Sequence, residues 1–227
     1  MEMHPSKRWY LDNLGERLAA ALKKNRFEAV YFPSAAEAKS HVLSRVPGAA
    51  TIGVGGSVTI RELGLIEELE KRGHTVFHHW KAELGHSAGG GRVDGFVMGR
   101  DFDERRKAMT ADVYLCSSNT VTLDGKLVNM DGFGNRVAAM IFGPRRTIVV
   151  VSVGKAVKDV DAAIERIETV TAPMSAHRGR GKVPCAVSGQ CTDCDAPDRS
   201  CGVMTVMHRK PKGADMLIVL VGEDLGF

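Results

Sequence analysis

Six short apolar runs recur along the chain, most of them followed by residues at helical spacing, and this alternation narrows the fold more than any other feature. The runs cover residues 29–32, 49–54, 75–80, 113–117, 147–153 and 216–221. Short apolar strands separated by amphipathic helices predict an α/β protein with a mostly parallel sheet flanked by helices. Residues 7–24 place Leu11, Leu14, Leu18 and Leu22 on one helical face and end in Lys23 and Lys24. Ser34-Ala-Ala-Glu37 is a capping box opening a helix that stops before Pro47. Thr59-Ile-Arg-Glu62 is a second capping box, ahead of Leu63, Ile66 and Leu69, with Gly73 as the stop. Residues 103–109, 137–142 and 158–170 are further helices, the last with Val160, Ile164 and Ile167 inward. Asp124-Gly125 between Val121-Thr122-Leu123 and Lys126-Leu127-Val128 predicts a β-hairpin, and the hairpin and the C-terminus, with strand character at 204–207 and 216–221, are expected to give antiparallel additions. Residues 85–95 form a glycine-rich loop, in which Gly89-Gly90-Gly91-Arg92 reads as flexible surface.

With 227 residues, 44% of them hydrophobic, the chain can bury a sizeable core without staples. It is read as one α/β domain over residues 1–227, with a Cys-rich stretch at 173–202 inside it. No apolar run approaches the roughly 18 residues of a membrane span, and the first ten residues lack an apolar signal segment. A soluble, cytoplasmic protein is the expectation. A net charge of +4 is too mild to imply nucleic acid and leaves acidic small molecules as partners. The oligomeric state is open, a homo-oligomer included.

Four of the five cysteines, Cys185, Cys191, Cys194 and Cys201, crowd one segment without helical or strand period, while Cys116 sits alone in a strand pattern as a core thiol. Thiolates at this density favour a metal or cluster over free thiols, and a reducing compartment disfavours disulfides. Zinc ribbons pair two short knuckles and this segment has one, so the spacing favours a [4Fe–4S] cluster, with zinc as the alternative. A redox role for Cys191-Thr-Asp-Cys194 alone is disfavoured, because Asp195-Ala-Pro197 follows it instead of a helix.

Gly53, Gly55, Gly56, Ser57 and Thr59 lie between a strand and a helix. Such a loop either cradles an anion on free N–H groups or is a tight turn that needs glycine for backbone reasons alone. It matches neither the dinucleotide fingerprint nor the P-loop, so no nucleotide cofactor is expected. In and around the hairpin, Asn119, Thr122, Asp124, Asn129, Asp131, Asn135 and Arg136 cluster with Gly125, Gly132 and Gly134. In a functional reading Asp131 moves a proton, Asn129 and Asn135 orient a carboxyl or hydroxyl, and Arg136 grips an anion in a fork. The alternative is a set of Asx turns. His74, His78, His79, His86 and His177 show no metal-like spacing, and Arg178-Gly-Arg180-Gly-Lys182 reads as a solvated loop near the cysteines.

The run Ser118-Asn119-Thr120-Val121-Thr122-Leu123-Asp124-Gly125, continuing through Val128-Asn129-Met130-Asp131-Gly132-Phe133-Gly134-Asn135-Arg136-Val137-Ala138, resembles the lactate-utilization (LUD) domain family. Ala172-Pro173-Met174, the four-Cys segment and Val221-Gly222-Glu223-Asp224-Leu225-Gly226-Phe227 carry the same resemblance across nearly the whole chain. It implies a fold similar to the sugar-phosphate isomerase and CoA-transferase group, with a ligand crevice beside the glycine loop. It also implies a place beside iron–sulfur partner proteins of a bacterial L-lactate oxidation system. No glutamate stands in a CoA-transferase nucleophile motif, which argues against acyl transfer, and fold alone supplies no reaction. Three functions remain in view. The first is an iron–sulfur component of L-lactate or related 2-hydroxy-acid oxidation that binds a small anionic metabolite. The second is an isomerase or ligase on a phosphorylated or carboxylated small molecule, with a structural zinc. The third is a non-enzymatic redox or metabolite sensor.

Overall fold

The apolar runs assemble side by side, and the chain order of the elements explains how. The computed structural model describes residues 3–81, 100–179 and 181–227. It begins with α1 (Pro5–Lys24), β1 (Glu28–Phe32), α2 (Ala35–Ser44), β2 (Ile52–Val54), α3 (Val58–Glu62), α4 (Leu65–Lys71) and β3 (Val76–Phe77). After α5 (Arg100–Met109) come β4 (Val113–Cys116), β5 (Thr120–Thr122), β6 (Leu127–Asp131), α6 (Asn135–Ile141), β7 (Arg146–Ser152) and β8 (Ala156–Val157). The remainder is α7 (Val160–Arg166), α8 (Ala172–Arg178), α9 (Pro184–Ser188), β9 (Val203–Met207) and β10 (Asp215–Val221). The glycine-rich loop expected at 85–95 lies outside the described residues.

The main sheet has the order β1-β10-β7-β4-β2-β3, with every neighbour parallel. Its two faces follow from the alternation of side chains along each strand. Val149, Val151, Ile218 and Leu220 meet Leu14, Leu18 and Leu22 of α1 and Met140 of α6 on one face. Ile148, Val150, Leu217 and Val219 meet Val42 of α2, Ile60 of α3 and Leu69 of α4 on the other. The α1 pattern of Leu14, Leu18 and Leu22 is thus borne out as the buried face of an entry helix.

The hairpin also forms, but it builds a second sheet of order β8-β5-β6-β9, in which β6 pairs antiparallel with both β5 and β9. Gly125 turns the hairpin at φ +82° with its Cα pressed against the backbone of Ala21, a position that only glycine fills without strain. Asn25, capping α1, donates its amide to the Asp124 and Gly125 carbonyls at 2.8 Å, so the turn is pinned to the end of α1.

Four expectations need correction. Of the two C-terminal strands, β9 is the expected antiparallel addition, on β6, but β10 is not: it lies parallel between β1 and β7. Its run of apolar residues without polar alternation suits a strand buried on both faces. The third strand is shorter than residues 75–80, because His79 and Trp80 leave the ladder and pack their rings together, centroids 4.2 Å apart. The second capping box is displaced: Ser57, not Thr59, caps α3 by accepting from the Ile60 N–H, while Thr59 is buried. Finally, residues 173–178 and 184–188 are helical, not loop. From α7 the helix runs on through a π-type turn at Ile167–Thr171 into α8. Pro173, which has no N–H to give to the turn before it, sits where the helix widens.

Gly53 of β2 lies directly under the Ala108 carbonyl of α5, where a Cβ would collide with backbone. Gly53→Ala therefore lowers stability by about 1–3 kcal/mol through overpacking, read as a reduced urea midpoint. An unchanged midpoint would contradict this close approach.

Candidate functional site

In open parallel sheets ligands bind beyond the carboxyl ends of the strands, and here the loops after four strands converge. β2 leads into Gly56, Ser57 and Thr59, β4 into Ser117, Ser118 and Asn119, β7 into Lys155, and β10 into Asp224 and Phe227. Ser57, Thr59, Ser117, Asn119, Lys155, Arg178 and Phe227 line a small polar pocket of about 40 Å³. A wider cleft of about 260 Å³ adjoins it, sharing Gly56, Asn119, Arg136, Ser175 and Arg178. His79, Arg105, Asp131, Gly132 and Asn135 line the wider part.

The glycine loop divides between the two duties its sequence left open. Gly53 and Gly55 are packing glycines, the second because a Cβ would sit 2.8 Å from the Tyr114 hydroxyl. Gly56, Ser57 and Thr59 reach the pocket wall.

The polar cluster after the hairpin is knitted to itself. The buried Arg136 guanidinium donates from Nε to Asp131 Oδ1 at 2.9 Å, from Nη1 to the Ser117 carbonyl at 3.1 Å, and from Nη2 to the Met130 carbonyl at 2.8 Å and Asn119 Oδ1 at 2.9 Å. Its fork is thus engaged inside the protein. Asp131 Oδ2 accepts from the Val137 N–H at the start of α6, so this carboxylate pairs with Arg136 and caps a helix at once. Asn119 Oδ1 also accepts from the Met130 N–H, and the buried Asn129 Oδ1 accepts from the Asn119 N–H. Asn129 lies behind the cleft wall, whereas Asn119, Gly132 and Asn135 line it. Gly134 starts α6 at φ +76°.

Two pocket residues carry signals that the sequence patterns did not raise. Lys155 follows the β7 run that the apolar pattern ends at Val153, and it is only 3% exposed. Its Nζ donates to Thr59 Oγ1 at 3.2 Å. Burial, reinforced by the cations Arg166 and Arg136, lowers its pKa to about 8 against the pull of Glu62 and Asp224. A lysine directly after a central buried strand was the available clue. Arg178, expected on a solvated loop, is instead the last residue of α8, and its guanidinium lies 5.6 Å from the Phe227 ring centroid. Arg180 lies outside the described residues. Burial also works against the charge of Arg166 and Arg178, but arginine keeps its proton throughout the accessible range. The movable proton among these cations is therefore the one on Lys155.

The Cys segment borders this cleft at one end and a separate hollow at the other. Gly202 N–H donates to the Asp131 carbonyl at 3.1 Å, and Ser200 packs on Gly132 at the cleft rim. At the other end Cys185 lines an apolar hollow of about 630 Å³ with Met174 and Phe227. All five cysteines are free thiols, and Cys116 is fully buried, its thiol pushed up to about 12 by burial. Burial raises the Cys185 thiol as well, and the nearby Cys194, Cys191 and Cys201 add to the rise. Cys191 Sγ accepts from the Asp193 N–H at 3.5 Å, with Asp193 at φ +45°. Arg199 braces the turn through the Cys194 and Cys201 carbonyls. Four thiols on one braced loop suit a thiolate-bound centre in donor chemistry. Among the described residues, however, no three His, Cys, Asp or Glu side chains are drawn closely enough to hold a metal ion.

Two substitutions test these roles. Removing the guanidinium in Arg136→Met leaves the buried Asp131 carboxylate uncompensated and costs about 3–5 kcal/mol, measured by chemical denaturation. A loss below about 1 kcal/mol would show that the pair is not structural. Lys155 has a folded pKa below its unfolded value, so the unfolded chain binds the extra proton between about pH 8 and the ordinary lysine range. Stability relative to Lys155→Met therefore rises as pH increases through that window, and a pH-independent difference would refute the burial of a titrating ammonium.

A crystal structure of a DUF162 family protein from Deinococcus radiodurans is similar at 15% identity and a TM-score of 0.49, covering 92% of this chain and 98% of that one. No curated protein matches the chain. No helix among the described residues is long and apolar enough to cross a membrane. The LUD domain model matches residues 15–221, and with nine-tenths of the sequence inside that match the chain belongs to the LUD domain family.

Proposed function

We infer that this LUD protein is an iron–sulfur component of the oxidation of L-lactate or a related 2-hydroxy acid, taking a small anionic metabolite into the cleft beside Lys155. The observation that carries the reading is the placement of the Cys segment: Ser200 stands on the rim of a basic cleft, and Cys185 lines a neighbouring apolar hollow that shares Arg178 and Phe227 with the small pocket. Family membership supports a role in lactate utilization.

Cys185, Cys191, Cys194 and Cys201 are the residues that would hold the centre. When bound, a [4Fe–4S] cluster supplies one-electron transfer, whereas zinc in its place supplies only a cross-link. Turning a 2-hydroxy acid into a 2-oxo acid releases two electrons and two protons, and the electrons pass to iron–sulfur partner proteins. The chain's own residues bind and orient. Thr59, Ser117 and Lys155 bring hydroxyl and ammonium groups to the polar pocket, and Asn119 and Asn135 bring amides to the wider cleft. Asp131, committed to Arg136 and the α6 N-terminus, holds the wall instead of moving a proton.

The test is iron, zinc and acid-labile sulfide content of anaerobically prepared protein, with absorption recorded before and after dithionite. The expected result is about four irons and four sulfides per chain, with colour that bleaches on reduction and is lost in Cys191→Ser. One zinc and no colour would replace this reading with the isomerase or ligase alternative, in which zinc only braces the loop.

A further inference from the structure

We propose that the small pocket at the carboxyl edge of the sheet is a site for an oxyanion head group, carboxylate or phosphate, anchored by the Lys155 ammonium and filled with proton uptake. This deepens the reading above, since it names the group that grips the anionic metabolite.

Lysine is almost never fully buried unless paired, yet no carboxylate pairs with Lys155 among the described residues. Thr59 Oγ1 accepts one of its three N–H bonds. The other two have no protein acceptor among the described residues, and the residue lines the pocket. Its surroundings add positive charge. Arg136 of α6 and Arg166 of α7 act on it as cations, and Arg178 of α8 lines the same pocket. Among the described residues, Glu62 of α3 and Asp224 after β10 act in the opposite sense. Arg136 is spent on internal partners and Arg166 donates to the Asn119 carbonyl and Thr171 Oγ1, which leaves Lys155, with Arg178 stacked on Phe227 beside it, as the pocket cations with donors to give.

The hydroxyls of Ser57, Thr59 and Ser117 complete a wall suited to oxygen atoms. A pocket of about 40 Å³ exceeds the room of a single water, about 10–15 Å³ on the same measure, but not by enough for a whole metabolite. It takes a compact head group, and the rest of the molecule extends into the adjoining cleft of about 260 Å³.

Proton linkage follows from the same neighbours. An anion against Nζ restores the charged form that burial and the surrounding cations disfavour. Binding then takes up about half a proton per anion near pH 8, where the free lysine is half protonated. Affinity is nearly flat below pH 7 and falls by about tenfold per pH unit above 8.

The experiment is titration calorimetry on the full chain at pH 7, 8 and 9, in buffers of different ionisation enthalpy. L-Lactate serves as the carboxylate probe and sulfate, which does not titrate here, as the phosphate mimic. At least one probe binds with proton uptake, and the preferred one tells the two head groups apart. Lys155→Met weakens that binding at least tenfold and abolishes the uptake while the protein still unfolds cooperatively. Binding of neither probe, affinity constant from pH 7 to 9 in the unmodified protein, or equal binding by a folded Lys155→Met protein would overturn the proposal. A protein with pH-coupled binding but no iron refutes the oxidation reading and leaves this site standing. Iron and sulfide without coupled binding does the reverse.

Discussion

The guanidinium of Arg136 ties the two sheets together. It reaches the Ser117 carbonyl beyond β4 in the main sheet and the Met130 carbonyl and Asp131 carboxylate on β6 in the second. Arginine suits the position because its planar fork offers several donors in fixed directions and keeps its charge when buried. Through Asp131 the same knot reaches the first turn of α6, and through Asn119 it sets the floor shared by pocket and cleft. Even the Cys segment hangs from it, since Gly202 bonds to the Asp131 carbonyl. A residue type usually associated with gripping ligands here fixes the frame of the pocket and cleft.

That frame concentrates positive charge at one edge of the sheet. Lys155, Arg166, Arg178 and Arg136 all lie at this end, with Glu62 and Asp224 as partial compensation. Such an arrangement opposes folding, and the apolar layers on both faces of the sheet offset it. Sites that hold charge ready for a ligand generally cost stability in this manner.

The sheet was legible in the sequence because its strands are buried on both faces and its helices on one, so each leaves its own period. The parallel place of β10 was legible in principle, since Met216 through Val221 lack alternation, but pairing partners leave no local mark. The capping of α3 by Ser57 instead of Thr59 shows the limit of a short motif: Thr59 is drawn inward toward Ser117 and Lys155 by contacts distant in sequence. Several of residues 118–138, which carry the resemblance, line the cleft, yet the roles within it depend on which donors are already used. Arg136 looked like a ligand fork because spacing does not reveal that Ser117 and Met130 occupy it. Lys155 drew no attention because a single lysine after a strand is exposed in most proteins, and only the convergence of four loops buries it. The helix through Pro173 was hidden because proline normally ends a helix, whereas here a π-type turn absorbs it.

The insertion of β10 between β1 and β7 has a consequence for synthesis. Glu28 pairs with Leu217 and Phe32 with Val221, so the first strand finds its sheet partner nearly two hundred residues later. Until that segment leaves the ribosome, β1 has no ladder, and the apolar stripe of α1 lacks Ile218 and Leu220 beneath it. Loop closure over such a separation is entropically costly and slows the search. The nascent chain therefore waits with a buried-type strand and helix face in solvent, a state that chaperones shield and aggregation exploits.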